Sequence, residues 1–254
     1  MASQPVVAAI VTAYRPDDQL FARFAPLLAR CSHVFVVDNT PSGHLFGPAP
    51  SGFVVHQDGV NKGLGPALNT GIEHARRSGA DAAILFDQDS TPALDLIQQL
   101  IAAWIDVSRR GACCCIGPAY VDDSRIGAAD EGQGREGLTE VTCLPTSGMV
   151  VPIAALSSSD GFAAELFLDF VDFEWCWRLG RRGWRFYRAP AIRMFHRLGL
   201  EQRHWMGLTF HVPSPYRHYF QVRDALRLAN RWQHGHGEIV REGRVEGRRL
   251  GREE

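Results

Sequence analysis

The first half of the chain alternates short apolar runs with longer amphipathic segments. Continuous runs rich in Val, Ile and Phe, such as "VVAAIVTAY" at 6–14, are typical of strands that are covered on both faces. Segments in which apolar residues recur every three or four positions are typical of helices that bury one face. This alternation predicts an α/β fold built on a doubly wound, mostly parallel sheet. The predicted strands are 6–14, 33–40, 52–57 and 82–90, and the predicted helices are 15–31, 61–79 and 93–110.

The second half of the chain has a less regular pattern. Residues 141–152, "VTCLPTSGMVVP", predict a strand that is interrupted by a small-residue turn at Thr146, Ser147 and Gly148. Residues 170–190 predict a helix followed by a short strand. Two polar, glycine-rich stretches remain, and they predict a loop or inserted hairpin at 122–137 and a frayed or disordered tail at 233–254.

The composition is that of an ordinary globular protein, with 45% hydrophobic and 22% charged residues in a chain of 254. A formal net charge of −1 argues against a nucleic-acid-binding protein, which usually carries a basic excess on one face. No run approaches the roughly 20 apolar residues that span a bilayer. The start of the chain lacks the basic region of a signal peptide, so we expect a cytoplasmic protein. Six cysteines without a paired CxxC spacing predict free thiols.

Polar residues stand where the second and fourth predicted strands end. Asp38 and Asn39 lie at the end of the second strand, and Asp87 and Asp89 at the end of the fourth in "LFDQDS". The carboxyl ends of such strands line the ligand crevice of a doubly wound sheet. Two carboxylates one residue apart suit a hard divalent cation that also binds phosphate. A helix cap is a second interpretation, with Thr91 as the cap and Pro92 at the first helical position; the two interpretations are compatible.

The segment "DGVNKGLGPALNTGI" at 58–72 opens a predicted helix with Asn61, Lys62, Gly63 and Gly65. Backbone N–H groups and the positive end of the helix dipole favour anions at such a position. The segment matches neither a Walker A motif nor a dinucleotide fingerprint. Tight packing is the alternative reason for its glycines.

The segment "FLDFVDFEWCWR" supplies a later group of acids. Asp172 and Glu174 lie two residues apart, so one helix cannot direct both into a single site, and either one is a candidate general base. The alternative is a structural role, with Asp169 as a helix cap and Glu174 paired with Arg178 four residues on. Late basic residues that would neutralise a diphosphate are His196, His218 and Arg223.

Taken together, these segments resemble the family 2 inverting glycosyltransferases of GT-A fold, and among them the bacterial rhamnosyltransferase-like branch. The resemblance covers about residues 8 to 228. It departs from the family at Arg15 and Asp224, where members often have Asn. The motifs that carry it, in order, are "VTAYRPD", "VVDNT", "NKGLGPALNTGI", "LFDQDS", "PTSGMVV", "FLDFVDFEWCWRL", "MFHRLG" and "YRHYFQVRDALRL".

The resemblance implies a role for each candidate residue. Asp172 corresponds to the catalytic base, and Asp89 with His196 to the ligands of Mg²⁺ or Mn²⁺. Asp87 would contact the ribose or the shell of the metal, and Arg223 would stabilise the departing diphosphate. The remaining implied contacts are to the donor nucleotide from Thr12, Ala13, Tyr14, Asp38, Asn61 and Lys62, and to the acceptor from Thr146, Ser147, Gly148 and Glu174.

The resemblance also implies the reaction and the domain organisation. We expect one domain at 1–232, in which 1–118 binds the nucleotide sugar and 119–232 binds the acceptor. The donor would be a nucleotide-diphosphate sugar, with dTDP-L-rhamnose favoured, and the acceptor a hydroxyl of a cell-surface glycan or a lipid-linked precursor. Transfer would proceed with inversion, in the cytoplasm and with a possible peripheral contact to the membrane.

Two other functions are open from the sequence. A sugar nucleotidyltransferase also uses a doubly wound sheet and metal-binding carboxylates, but it usually has a glycine-rich, basic loop after the first strand, where this chain has "TAYRPDDQ". A GT-A-fold nucleotide-sugar-binding protein without activity is the other alternative. The intact acids Asp87, Asp89 and Asp172 argue against it, and the short segment after "ALRLANRW" keeps it open.

Overall fold

A computed structural model describes residues 4–43, 46–121, 137–195, 201–205, 208–212 and 215–235. Its centre is an eight-stranded sheet, accompanied by a separate two-stranded sheet. The strands of the large sheet are β1 (Val7–Ala13), β2 (Val34–Asp38), β3 (Phe53–Gln57), β4 (Ala82–Asp87), β5 (Cys114–Val121), β6 (Thr139–Val141), β7 (Val150–Pro152) and β8 (Arg185–Phe195), and the small sheet pairs β9 (Glu201–Trp205) with β10 (Leu208–Val212).

Six α-helices and one short 3₁₀ helix accompany the strands in the described part of the chain. The helices in this part lack a stretch long and apolar enough to span a bilayer. The six cysteines are all free. The helices are α1 (Leu20–Phe24), α2 (Leu64–Arg77), α3 (Leu94–Arg109), α4 (Ile153–Ser157), α5 (Val171–Gly180) and α6 (Pro215–Gly235), and the 3₁₀ helix is Ala25–Ala29.

The strand order of the large sheet places a crevice between β1 and β4. The order is β3-β2-β1-β4-β7-β5-β8-β6, and the first four strands are mutually parallel. The chain builds outward from β1 through β2 to β3 and then returns to the other side of β1 for β4. Such a reversal separates the loops that leave the two strands and opens a ligand crevice at their carboxyl ends. The α/β prediction is confirmed.

The sheet is buried on both faces, which explains the continuous apolar runs of its strands. One face packs against α1 and α3 around Phe24, Phe86 and Leu100. The other packs against α2 and α5 around Leu68 and Trp175. Every residue of β1 and β2 is buried, as expected for central parallel strands.

Several predicted boundaries are corrected. The helix expected at 15–31 is only α1 and the 3₁₀ helix, because Pro26 lacks the N–H group that an α-helix would use there. β7 and β6 run antiparallel to their neighbours, so the second half of the sheet is mixed. α6 continues to Gly235, three residues into the expected tail. Residues 122–136 and 236–254 lie outside the described residues.

A buried ion pair stabilises α5. The carboxylate of Glu174 is fully buried and accepts two hydrogen bonds from Arg178, at 2.7 and 2.9 Å. Arg178 also donates to the carbonyl oxygen of Gly161 at 2.7 Å, which ties α5 to the preceding loop.

We expect Arg178→Met to lower the free energy of unfolding by about 3 kcal/mol, because it leaves the Glu174 carboxylate buried without a cation. Chemical denaturation measures this loss. The double variant Glu174→Gln, Arg178→Met removes the buried charge as well and is expected to recover part of the stability. A single variant as stable as the wild type would contradict the pairing.

Candidate active site

The carboxyl ends of β1, β2 and β4 place their residues side by side. In the strand register, Thr12 lies opposite Asp87 and Ala13 lies opposite Asp38. Thr12 and Ala13 are buried, and Tyr14 beyond them is 38% exposed. These positions therefore form the edge of the switch-point crevice, with Tyr14 at its mouth.

The aspartate pair follows β4 at this edge. Asp87 is half-buried and Asp89 is exposed. Burial raises the pKa of the Asp87 carboxyl to about 7, and the negative charges of Asp89 and Asp172 add to the shift, while Arg217 opposes it. Asp172, which is 85 residues away in sequence from Asp87, is thus within electrostatic reach of it in the fold.

Asp172 lies in the first turn of α5. Burial raises the pKa of its carboxyl to about 6, against the hydrogen bonds that it accepts from backbone N–H groups, one of them from Phe173 at 2.9 Å. The expected cap by Asp169 is wrong, because the residue before the helix is Phe170, with φ of 64° and no side-chain cap. A bulky residue in the left-handed region is strained, and such strain clusters at functional sites. Here it lies two residues before the candidate base.

The carboxylates fit a divalent cation that completes its shell with substrate oxygens. In the described part of the chain, no three His, Cys, Asp or Glu side chains form a ready metal cage. Mg²⁺ commonly needs only one or two protein carboxylates, because phosphate oxygens and water supply the other ligands. Asp87 and Asp89 offer such a pair, and burial together with the charges of Asp89 and Asp172 raises the pKa of the Asp87 carboxyl, while Arg217 partly opposes the shift. His196 lies outside the described residues.

The turn at 146–148 supports the acids, and the acceptor contacts predicted for Thr146, Ser147 and Gly148 stay a prediction. All three residues are buried. The Ser147 hydroxyl lies 2.5 Å from that of buried Ser90, directly after the aspartate pair. The Gly148 N–H donates to the carbonyl oxygen of Leu85 on β4 at 2.6 Å. The turn therefore holds β4 and its acidic end in place.

Glu174 is engaged inside the protein, and its predicted acceptor contact stays a prediction. Its carboxylate is fully buried in the ion pair with Arg178 described above. Asp172 and Glu174 therefore have different environments, as their two-residue spacing on the helix predicts. Of the two candidate bases, only Asp172 lies with the acids of the crevice.

The start of α2 is covered, so the predicted anion site at its N-terminus is wrong. A Cβ at Gly63 would lie 2.6 Å from the carbonyl oxygen of Phe167, and one at Gly65 would lie 2.5 Å from that of Ala163. The Leu64 N–H already donates to the Phe167 carbonyl oxygen at 2.7 Å. Tight packing therefore explains the two glycines.

Asn61 and Lys62 have local partners beside this covered helix start. The Asn61 side chain accepts from the Gly63 N–H at 3.0 Å, and Lys62 pairs with Asp58. Gly63 also accepts a hydrogen bond from Asn39 at 2.9 Å, which joins this segment to the end of β2. Asn61 and Lys62, which were predicted to contact the donor nucleotide, thus lie near the crevice and make hydrogen bonds within the protein.

Asp38 is buried at the end of β2. Its carboxylate accepts hydrogen bonds from the Thr40 N–H at 3.0 Å, the Thr40 hydroxyl at 2.6 Å and the Gln57 amide at 2.9 Å. Its position opposite Ala13 is the one expected of a residue at the nucleotide edge.

The helix cap expected at Thr91 is wrong, because α3 begins after Ala93 without a side-chain cap.

Two arginines of α6 have different environments, and the diphosphate contact predicted for Arg223 stays a prediction. Arg223 donates to buried Asp224 at 2.8 Å and lies 4.4 Å from the centre of the Phe220 ring. Arg217 pairs with Asp169 at 3.2 Å, and its positive charge lowers the pKa values of the Asp87 and Asp172 carboxyls. Arg217 therefore lies beside the acids and Arg223 lies in the packing of α6.

Sequence reasoning missed two further residues. Tyr120 donates to the Ser147 carbonyl oxygen, and burial together with the charges of Asp87 and Asp172 raises the pKa of its hydroxyl. Gln88, between the two aspartates, hydrogen-bonds to the backbone of Tyr14. No local pattern marks Tyr120. Gln88 lies inside the candidate motif, between the two aspartates, and this position could have marked it as a site residue.

The chain is similar in sequence to a characterised protein. It is 29% identical over 238 residues to the dTDP-rhamnosyl transferase RfbF of Shigella flexneri, and the match covers 87% of this chain and 79% of the relative. The chain is a glycosyltransferase. The resemblance to family 2 enzymes of the rhamnosyltransferase-like branch is thereby confirmed. No family model matches the chain.

Solved structures show which fold this glycosyltransferase has. It matches two crystal structures of residues 1–349 of S. aureus TarS, one of them in complex with UDP-GlcNAc. The TM-scores are 0.52 and 0.53 at 13% and 14% sequence identity. The matches cover 76% of this chain and 60% and 59% of the TarS chains. The GT-A fold expected from the sequence is confirmed.

Proposed function

We propose that the glycosyltransferase transfers a sugar, with L-rhamnose favoured, from a nucleotide-diphosphate donor to a hydroxyl group, with inversion at the anomeric carbon. The acceptor would be a cell-surface glycan or its lipid-linked precursor. The observation that carries the proposal is the convergence of Asp87, Asp89 and Asp172 at the switch-point crevice. Asp87 ends β4, Asp89 lies two residues beyond it, and Asp172 lies at the start of α5, so the site would join a cation-binding edge to a separate base.

Asp172 would act as the general base. Its pKa of about 6 leaves it ionised at neutral pH and still basic enough to accept a proton. The acceptor O–H would lose its proton to the Asp172 carboxylate while its oxygen bonds to the anomeric carbon. The bond from that carbon to the phosphate oxygen breaks, and the nucleoside diphosphate leaves with the electron pair. A single displacement of this kind inverts the centre.

Asp87 and Asp89 would hold Mg²⁺ or Mn²⁺ together with the donor diphosphate. When bound, the cation neutralises charge that develops on the departing phosphate. Burial and then the negative charges of Asp89 and Asp172 raise the pKa of the Asp87 carboxyl, and a divalent cation would favour its ionised form against both effects. Arg217, beside the same acids, would add a second positive charge at the leaving group.

Two lines of support favour dTDP-L-rhamnose as the donor. One is the name of RfbF, a dTDP-rhamnosyl transferase that this chain matches over most of its length. The other is the set of sequence motifs that resemble the rhamnosyltransferase-like branch. The UDP-GlcNAc bound to TarS supports a nucleotide sugar as the class of donor and does not bear on the choice of base, because that likeness is one of fold.

A thermal-shift screen tests the proposal. We expect dTDP-L-rhamnose with Mn²⁺ or Mg²⁺ to raise the melting temperature most among dTDP-, UDP- and GDP-linked sugars. A ligand at 100 times its Kd adds about 2.7 kcal/mol to the stability of the folded state.

Asp89→Asn is the matched control for this screen, and it should remove the part of the shift that depends on the metal. No shift with any nucleotide sugar and either metal would contradict the proposal. A shift without turnover in the presence of candidate acceptors would favour a binding protein.

A further inference from the structure

Gln88 stands between the two aspartates, and its side chain connects β4 to β1. Its Oε1 accepts a hydrogen bond from the Tyr14 N–H at 2.7 Å, and its Nε2 donates to the Tyr14 carbonyl oxygen at 3.0 Å. Both polar ends of the amide therefore bind one backbone unit. The glutamine amide offers a donor and an acceptor together without a charge.

The pair lies where the sheet itself stops. The register between β1 and β4 runs from Val7 opposite Ala82 to Thr12 opposite Asp87. Gln88 is the next residue after Asp87, and it reaches the backbone of Tyr14, two residues beyond Thr12. The Gln88 side chain thus joins β4 to β1 beyond their last paired residues, at the switch point where the loops that leave the two strands separate.

Further contacts fix the same loop. Arg23 donates to the Gln88 carbonyl oxygen at 2.7 Å and to Asp17 at 2.6 Å. Arg15, with φ of 48°, donates its N–H to the Thr40 hydroxyl at 2.7 Å. The segment after β1 is therefore held from the β4 side through Gln88 and from the β2 side through Thr40.

We propose that Gln88 is a positioning residue for the donor. It fixes the backbone of Tyr14 at the mouth of the crevice relative to Asp87 and Asp89. The part of the site that would receive the nucleoside then keeps a constant position relative to the part that would receive the diphosphate. This inference rests on the proposed function, because it assumes that the crevice binds a nucleotide diphosphate.

Gln88→Met tests the inference, because methionine has a similar length and makes neither hydrogen bond. We expect its Kd for dTDP with Mn²⁺, measured by calorimetry, to rise about tenfold, since two hydrogen bonds that orient the loop are lost. The KM for the sugar donor should rise by a similar factor, while kcat at saturating donor stays within about twofold, because Asp172 is untouched. Gln19→Met is the control, since it makes the same change on an exposed residue of the same loop.

Gln88→Glu and Arg23→Met give independent readings if Gln88→Met folds poorly. The glutamate keeps an acceptor for the Tyr14 N–H but directs a second acceptor at the Tyr14 carbonyl, so we expect at least the same loss of affinity. Arg23→Met removes the outer contact and should weaken binding by about threefold.

The outcomes separate the two proposals. If wild type binds dTDP or UDP and the Gln88 variants bind it equally well, the positioning role is wrong and the proposed function stands. A fall in kcat with unchanged KM would also overturn the positioning role. If wild type binds neither nucleotide with either metal, both proposals are overturned.

Discussion

Replacing Asp172 by Asn is expected to lower the rate of sugar transfer about a thousandfold and to leave the affinity for the nucleotide sugar within about twofold. Asparagine has nearly the same shape and cannot accept a proton from the acceptor hydroxyl. The aspartate pair on β4 is unchanged, so the donor should still bind. Single-turnover transfer and equilibrium binding of the donor measure the two quantities separately. Equal losses of transfer and binding would make Asp172 a structural residue.

The pH dependence identifies the base. Transfer by the wild type should rise with pH through a midpoint of about 6 and then level off, because the Asp172 carboxyl works only in its ionised form and burial raises its pKa to about 6. The groups that act on this titration are Asp169, Asp87 and Arg217. The residual activity of Asp172→Asn should lack this rise.

The melting temperature of Asp172→Asn shows whether the variant keeps the fold. The pKa of the Asp172 carboxyl in the folded protein lies above its ordinary value of 3.8, so ionisation costs stability as the pH rises from about 4 to about 6. Asp172→Asn removes this cost. Its melting temperature should therefore exceed that of the wild type at pH 8 and match it near pH 4. A variant that is inactive and also less stable at pH 8 would contradict the assignment.

The sequence was sufficient to predict the strand ends and the acids that gather there. Continuous apolar runs mark strands buried on both faces, and in a parallel sheet the residues that follow them meet at one edge. Asp38 and Asp87 are placed by this rule alone. Asp172 needed the family resemblance, because no local period tells which later helix crosses the same crevice.

Contacts between distant segments could not be predicted, because a hydrophobic period reports burial and not the identity of the partner. The segment around Gly63 has the composition of an anion site, and only the approach of Phe167 shows that it is covered. The turn at Ser147 looks like an exposed loop, and only its bond to Ser90 shows that it supports β4. In both cases the deciding partner is more than fifty residues away in sequence.

Substitutions of the two arginines of α6 are expected to differ in effect, with Arg217→Met lowering kcat and Arg223→Met lowering stability. Arg217→Met should lower kcat about 10- to 100-fold, because it removes a positive charge beside the acids where the diphosphate would depart. Its melting temperature should change little, since Arg217 is about half exposed and its pair with Asp169 is a partly solvated one.

Arg223→Met is the matched comparison, with the same change six residues further along the helix. It should lower the melting temperature more than Arg217→Met does, because it removes a cation from the fully buried carboxylate of Asp224. That carboxylate also accepts hydrogen bonds from the N–H groups of Phe167 and Leu168, at 3.0 and 3.3 Å, and so holds the segment that covers α2. The kcat of the folded fraction should stay within about threefold of the wild type. The opposite result, with lost turnover in Arg223→Met and normal turnover in Arg217→Met, would restore the role that the family resemblance implied for Arg223.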